Sequence, residues 1–410
     1  MKKIVILGAG FGGLKAALGF EKKFRNNQEI EIVLIDKYNY HQFNPNLYEV
    51  ATADEEFTSI KDLRLNTAMP IKVVLRGKRI KFVQGEVIGV DLQNRKVSLS
   101  SRQVQYNYLI LATGSENNFM GIPGAKEFAL PLKSIKDALM VRNQVAFAVE
   151  SRRQDMAKRA LRFVLAGGGY TGCELAAELP GLLDILAWKF EYPREKMEIE
   201  IVEATNQLLP GLDPALSKLA ASRLRDLGVY IRLLSPVVCV ERHMLRFLTG
   251  ESVAYDILIW AAGVKAAPLP FYQTIAKDGK NRIKTNGYLQ TENYDEVFII
   301  GDECCVLDED GWPAPATAQD AIHQAEYLTY ALPVLMQNKR PNGFTCKKHG
   351  IIITLGGKWA IFKFGKYYFS GFWPYVLRKL ANFRYYASIL GWFRAIPLAV
   401  ADLRVYSRND

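Results

Sequence analysis

Two glycine-rich stretches lie where a backbone could meet phosphate. The first, Gly8-Ala9-Gly10-Phe11-Gly12-Gly13, follows the apolar run Ile4-Val5-Ile6-Leu7. The second, Gly167-Gly168-Gly169-Tyr170-Thr171-Gly172, follows Phe163-Val164-Leu165-Ala166. After each comes a helical pattern, then another apolar run ending in an acid, Asp36 or Glu203. The chemistry this spacing serves is dinucleotide binding. Gly8 or Gly167 makes the tight turn, Gly10 or Gly169 lets backbone approach a pyrophosphate, and Gly13 or Gly172 lets helix pack on strand. The helix N-terminus offers free N–H groups and a positive partial charge to the phosphates. The terminal acid accepts hydrogen bonds from ribose hydroxyls. One such fingerprint is a weak signal; two, each with strand, helix and acid in register, are a strong one.

Parallel strands must position these groups. Tyr108-Leu109-Ile110-Leu111-Ala112-Thr113-Gly114 is a buried-strand pattern running into small residues. Ile257-Leu258-Ile259-Trp260-Ala261-Ala262-Gly263 repeats it, and Val297-Phe298-Ile299-Ile300 runs into Gly301-Asp302. Pro214 to Leu227 has a helical pattern, and Val73 to Leu99 alternates as antiparallel strands would. The expected fold class is α/β, with two Rossmann-like dinucleotide-binding domains and a C-terminal amphipathic, membrane-binding region. The expected boundaries are 1–120 with 285–345 for a discontinuous first domain, 121–284 for the second, and 346–410 for the C-terminal region.

Composition narrows the class. The chain has 410 residues, 49% hydrophobic and 23% charged, an ordinary globular balance. Five cysteines without C-x-x-C spacing argue against a disulfide scaffold or zinc ribbon. With four histidines, no metal site is expected. Net charge is +11, and residues 346–410 carry eleven Lys/Arg against two Asp/Glu together with fifteen of the 47 aromatics. No run reaches the roughly 18 apolar residues of a membrane-spanning helix. Met1-Lys2-Lys3 and the short apolar run after it read as a first strand, not a leader. Trp373, Val376, Leu377, Leu380, Phe383, Ala387 and Leu390 form one helical stripe, with Arg378 opposite, Lys379 on the flank and Arg384 inside it. That pattern suits an in-plane helix on an anionic lipid surface. No nucleic-acid motif accompanies the charge, so nucleic acid is not an expected partner.

These motifs resemble the two-dinucleotide-binding flavoproteins, and within them the type II NADH:quinone oxidoreductases. The resemblance covers nearly the whole chain. It is carried by Tyr40-His41-Gln42-Phe43-Asn44-Pro45-Asn46-Leu47-Tyr48-Glu49-Val50-Ala51, Gly121-Ile122-Pro123-Gly124, Pro131-Leu132-Lys133-Ser134, the second fingerprint, Leu208-Leu209-Pro210, Ala261-Ala262-Gly263-Val264 and Ala316-Thr317-Ala318-Gln319. It implies that FAD is held in the first domain by Gly8, Gly10, Gly12, Gly13 and Asp36. Pro45 would lie near the isoalloxazine, Thr113 and Gly114 along the dinucleotide, and Gly301 and Asp302 at the ribitol or phosphate. NADH would be held by Gly167, Gly169, Gly172 and Gly263, with Glu203 on the adenine ribose. Glu174 would couple hydride transfer to protonation. Ala318 would line the cofactor, and Gln319 the quinone pocket beside it.

The family usually has Ala-Gln-x-Ala-x-Gln at the quinone site. Here His323 occupies the second glutamine position, and Gln324 is one residue late, about 100° round the helix. His323 keeps the capacity to donate, accept or relay a proton. The reaction implied is hydride transfer from NADH to flavin, then two electrons to a membrane quinone. A carboxylate at Glu203, with uncharged Ala204-Thr205-Asn206-Gln207 after it, favours NADH over NADPH. The expected partners are NADH, a membrane quinone and an anionic lipid surface, and the chain is compatible with a homodimer. The expected location is peripheral, on the cytoplasmic face of the cell membrane. One alternative is a sulfide:quinone or NAD(P)H:ferredoxin-like reductase. That would draw on Cys346 with Cys173, Cys304 or Cys305, and neither arrangement suits redox cysteines. The other alternative is a flavin-bound, redox-switched interaction protein.

Overall fold

A computed structural model describes residues 1–54, 67–153, 159–307, 311, 314, 316–347 and 349–406. The helices that position the features below are α1 (Phe11–Phe24), α2 (Leu47–Thr52), α3 (Tyr170–Phe190), α4 (Ala318–Leu335), α5 (Phe372–Leu390) and α6 (Trp392–Tyr406). Two compact units divide the chain. One is Met1–Gln42, Met69–Glu116 and Val264–His349; the other is Phe43–Ala68, Asn117–Gly263 and Gly350–Asp410.

The first unit is built on a six-stranded sheet. Its strands run in the order 290–291, 294–299, 108–111, 2–7, 30–36, 80–84. Lys2–Leu7 is central and pairs in parallel on both sides, Ile4 with Ile32 and with Tyr108. A strand covered on both faces needs a continuous apolar run, and Ile4 to Leu7 have no exposed surface. Helix α1 packs along α4, where the Cβ position of Gly19 lies 2.3 Å from Thr329 Oγ1. Helix α4 opens on a Thr317 cap, whose side chain accepts from Asp320 N at 3.2 Å.

The second unit repeats the plan with five parallel strands, ordered 130–131, 257–260, 161–166, 197–202, 229–232. Leu161–Ala166 is central, pairing Phe163 with Ile199 and with Ile257. Its apolar core runs from Leu47 and Val50 of α2 through Leu175, Leu179 and Leu183 of α3 to Ile353 and Ile361. Pro214–Asp226 is helical, capped by Asp213.

One expectation needs correction. Val73 to Leu99 is not a run of antiparallel strands. Ile71–Val74 is a helical turn, and Ile80–Gln84 joins the main sheet in parallel, Ile80 beside Ile32. Only Val87–Asp91, Lys96–Leu99 and Gln103–Gln105 form the antiparallel meander. Alternation shows that one face is covered but does not show the direction of the neighbouring strand.

The glycines make a stability prediction. A Cβ on Gly172 would sit 1.9 Å from the Gly167 carbonyl oxygen, whereas one on Gly169 meets nothing within 4 Å. Gly172→Ala should lower the Tm by about 5 °C or more, because backbone must move. Gly169→Ala should leave it nearly unchanged. Thermal unfolding of the two variants checks the contrast, and equal shifts would contradict it.

Candidate functional site

The two fingerprints adopt the same local geometry. Gly8 has φ +100° and Gly167 φ +111°, the left-handed side that disfavours a Cβ. A Cβ there would lie 2.1 Å from Ala112 O or 2.5 Å from Ala261 O. Gly13 approaches Gly8 as Gly172 approaches Gly167, with Cβ positions 1.8 and 1.9 Å from the carbonyl oxygens. Gly10 and Gly169 are the N-caps of α1 and α3, without a side-chain cap, and the space beyond each is bare. Each helix therefore begins uncapped by a side chain, just after the end of a strand. A pyrophosphate fits such a cradle.

The acids are placed alike. Asp36 Oδ2 accepts from Ala9 N at 2.6 Å and Oδ1 from Tyr38 N at 2.8 Å. Glu203 Oε2 accepts from Gly168 N at 2.7 Å and Oε1 from Thr205 N at 2.8 Å. Burial raises the Asp36 carboxyl above its ordinary range, against the two amide bonds. Both side chains are thus aimed by backbone beside the glycine turn, where a ribose would lie.

Other singled-out residues take varied positions. A Cβ on Gly12 would lie 3.2 Å from Ile300 Cδ1 and 3.4 Å from Ala321 O, so its smallness serves packing against the start of α4. Gly114 (φ +76°) and Gly301 (φ +75°) are both left-handed turns. The Asp302 carboxylate accepts from the Ser115 hydroxyl. Gly263 has φ +137°, and its carbonyl accepts from Asn118 N at 3.0 Å. Half-buried Ala318 starts α4 and Gln319 is exposed beside it. His323, one turn on, is half-buried, with its ring 5.0 Å from Phe344 and 5.8 Å from His349. Its Nδ1 is buried without a hydrogen-bond partner. Burial, then Lys347 and His349, hold its pKa below the ordinary value, so the imidazole is neutral at pH 7. Gln324 points elsewhere and accepts from Gly301 N at 2.6 Å through Oε1.

In the second unit, Glu174 is a buried acid rather than a solvated helix cap. Its Oε1 accepts from Thr354 Oγ1 at 3.1 Å, and burial pushes its pKa up to about 6. It starts a polar chain that sequence reasoning missed. Thr354 Oγ1 and Tyr48 OH are 2.7 Å apart, and Tyr48 OH lies 3.3 Å from Glu49 Oε1. Lys379 Nζ sits 3.3 Å from Glu49 and 3.2 Å from Asp402. Asn46 donates to Asp402 at 2.8 Å. Burial raises Glu49 to about 7, although Lys379 opposes it. Pro45 lies beside this chain, and its carbonyl accepts from Arg378 Nη2 at 2.9 Å. The only sequence signals were acids and a lysine inside otherwise apolar segments. Arg378 was placed opposite the stripe of α5 and Lys379 on its flank, and Lys379 proves to be buried, as does Asn382. The predicted apolar stripe faces out in part: Trp373 is 70% and Leu380 57% exposed, whereas Val376, Phe383, Ala387 and Leu390 are half-buried.

No group of three or more His, Cys, Asp or Glu among the described residues could hold a metal ion. None of the five cysteines is joined in a disulfide. Burial pushes the Cys304 thiol up to about 12, the opposite of an activated sulfur.

A profile of the family described as pyridine nucleotide-disulphide oxidoreductase matches residues 2–325, so the chain belongs to that family. It lacks a C-x-x-x-x-C pair and has no cysteine before Cys173, so the disulfide chemistry of the family's name has no residues here. The chain is 27% identical to a type II NADH:quinone oxidoreductase of Staphylococcus haemolyticus, over 87% of this chain and 88% of that protein. Its fold matches NDH2 from Plasmodium falciparum, solved in complex with NADH, at a TM-score of 0.84, 20% identity and 97% of both chains. A sulfide:quinone oxidoreductase from Aquifex aeolicus matches at 0.73, with 17% identity, 98% of this chain and 95% of that one.

The Lys379 cluster makes a testable claim. Lys379→Met leaves Glu49 and Asp402 buried without their cation and should cost roughly 3–5 kcal/mol near pH 8. Glu49 then rises further in pKa and takes up a proton as pH falls. The Tm gap to wild type should therefore narrow between pH 8 and pH 6. A gap independent of pH would contradict the pairing.

Proposed function

We propose that this protein is a type II NADH:quinone oxidoreductase, a single-chain flavoprotein that docks on a lipid surface. The observation that carries this reading is the doubled dinucleotide cradle, each copy with bare helix-end amides and a backbone-aimed acid. FAD occupies the first cradle, held by Gly8, Gly10, Asp36, Thr113, Gly114, Gly301 and Asp302. NADH occupies the second, held by Gly167, Gly169, Gly172, Glu203 and Gly263. Bound FAD supplies the redox chemistry, taking a hydride from NADH and passing two electrons to a quinone. The chain's residues bind, orient and move protons.

Both Glu203 oxygens already accept from backbone, so a 2′-phosphate would bring like charge against a fixed carboxylate. Expected kcat/KM is at least about tenfold higher with NADH than with NADPH. Comparable values would remove Glu203 from this role. Glu174 serves as a proton donor. It is loaded below about pH 6, so turnover declines as pH rises through that value. Glu174→Gln should slow turnover by roughly tenfold or more and erase that limb; an unchanged profile would make Glu174 structural. Gln319 and neutral His323 meet the quinone from the first turns of α4. The high Cys304 pKa disfavours a sulfide donor.

The lipid surface meets the outward apolar face of α5 and α6. Trp373, Leu377, Leu380, Trp392, Phe393 and Ile396 are exposed there, with Arg384 and Arg394 among them. Among the described residues no helix is long and apolar enough to cross a membrane. An in-plane helix with aromatic and basic side chains fits that geometry. The double variant Trp373→Glu, Phe393→Glu should lose binding to anionic vesicles and keep its fold, as read by pelleting and circular dichroism. Retained pelleting would move the docking face elsewhere.

Anaerobic stopped-flow absorbance tests the whole reading. FAD-loaded protein mixed with NADH should bleach rapidly, and a short-chain quinone should restore the absorbance. Bleaching without recovery would overturn the quinone assignment and keep the NADH site; no bleaching would overturn both.

A further inference from the structure

Glu303 belongs to none of the motifs above. It ends the short turn Gly301–Glu303, is 1% exposed, and has no solvent to ionise into. Its carboxylate reaches back to the loop after the strand 108–111. Oε2 accepts from Thr113 N and Oε1 from the Thr113 hydroxyl, both at 2.6 Å. The two loops can meet because their strands are parallel neighbours, Ile299 beside Leu111, with Ile300 N donating to Leu111 O at 2.9 Å.

The next acid repeats the gesture. Asp302 accepts from the Ser115 hydroxyl, so consecutive carboxylates grip residues 113 and 115. Gly114 lies between the two grips, at φ +76° and with nothing within 4 Å of its Cβ position. Across the turn, Gly8 has Thr113 Cα only 3.1 Å from its own Cβ position. A shift of Thr113 would therefore disturb both Gly114, whose carbonyl accepts from Ala267 N at 3.0 Å, and the first glycine turn.

We propose that Glu303 is a positioning residue for FAD: by clamping Thr113 it holds Gly114 and the first glycine turn in the shape that accepts the flavin dinucleotide. This rests on the assignment of the first cradle to FAD. A buried amide and a buried hydroxyl aimed at one side chain need two acceptors, and a carboxylate supplies both where an amide supplies one. Among charged groups, Asp302 in the same turn opposes ionisation of Glu303 and Lys277 favours it. Burial outweighs them, and the pKa is pushed up to about 7. Protonation converts one acceptor into a donor and loosens Thr113. FAD affinity should therefore fall as pH drops through about 7, while the second cradle, in the other unit, is unaffected.

The test is flavin release from the holoenzyme on dilution, followed by FAD fluorescence between pH 6 and pH 8.5. NADH binding is measured in parallel. Glu303→Gln should raise the FAD Kd roughly tenfold at pH 8 and flatten its pH dependence. Thr113→Val should weaken FAD in the same direction, and the double variant should be less than additive. NADH affinity and the Tm of the flavin-free protein should change little. An unchanged Kd in Glu303→Gln would overturn the proposal. Equal losses of FAD affinity, NADH affinity and Tm would reduce Glu303 to a general stability role and overturn it too. Wild-type protein that binds no FAD would overturn the cradle assignment itself, an outcome distinct from either.

Discussion

The structure depends on two places where backbone passes too close for any side chain. Gly13 over Gly8, and Gly172 over Gly167, leave a would-be Cβ less than 2 Å from a carbonyl oxygen. That approach lets α1 and α3 start directly above the ends of central strands. Neither helix start carries a side-chain cap. Once the helix ends are fixed, Asp36 and Glu203 have only one short path to the turn. Both take it, through bonds to backbone N–H groups on either side of their carboxylates. The two matching cradles follow from one packing constraint used twice.

A second theme is acid kept out of water. Glu49, Glu174 and Glu303 are each buried, and burial raises each above the ordinary carboxylate range, to about 7, 6 and 7. Each costs stability when it ionises, so the native state binds protons that the unfolded chain has released. Stability from these groups is therefore fullest below about pH 4.5 and declines as pH rises through their native pKa values. Groups that expensive are retained where protonation or fixed hydrogen bonds are useful. Two of them, Glu49 and Glu174, lie on one hydrogen-bonded chain through Tyr48 and Thr354 that ends on Lys379 and Asp402. This chain ties the Pro45 segment to α5 and α6, so the C-terminal helices share its electrostatics.

The C-terminal helices carry apolar side chains on both faces. Most surface helices bury one apolar stripe and expose a charged one. Here α5 buries Tyr375, Tyr386 and Ile389 together with Lys379 and Asn382, and also turns Trp373, Leu377 and Leu380 outward. Arg384 and Arg394 lie exposed among these outward apolar side chains.

The fold class and the two cradles were legible in the chain alone. Glycine at Gly8 and Gly13 is a steric requirement that no other residue type meets, and with Gly10 between them and an acid one strand later, type and spacing marked the cradles. The apolar stripe of α5 was equally plain, because a 3.6-residue period survives whatever the helix packs against. Tertiary structure decided the rest. Ile80–Gln84 alternates like an antiparallel strand and pairs in parallel, because strand direction is set by partners distant in sequence. The rotation of Gln324 away from the His323 position was legible in the spacing, but its partner, Gly301 N, came only from the fold. Glu303 meets Thr113 across 190 residues, and Lys379 meets Glu49 across 330. A carboxylate's partner, and hence its proton affinity, comes from contacts that local sequence does not encode.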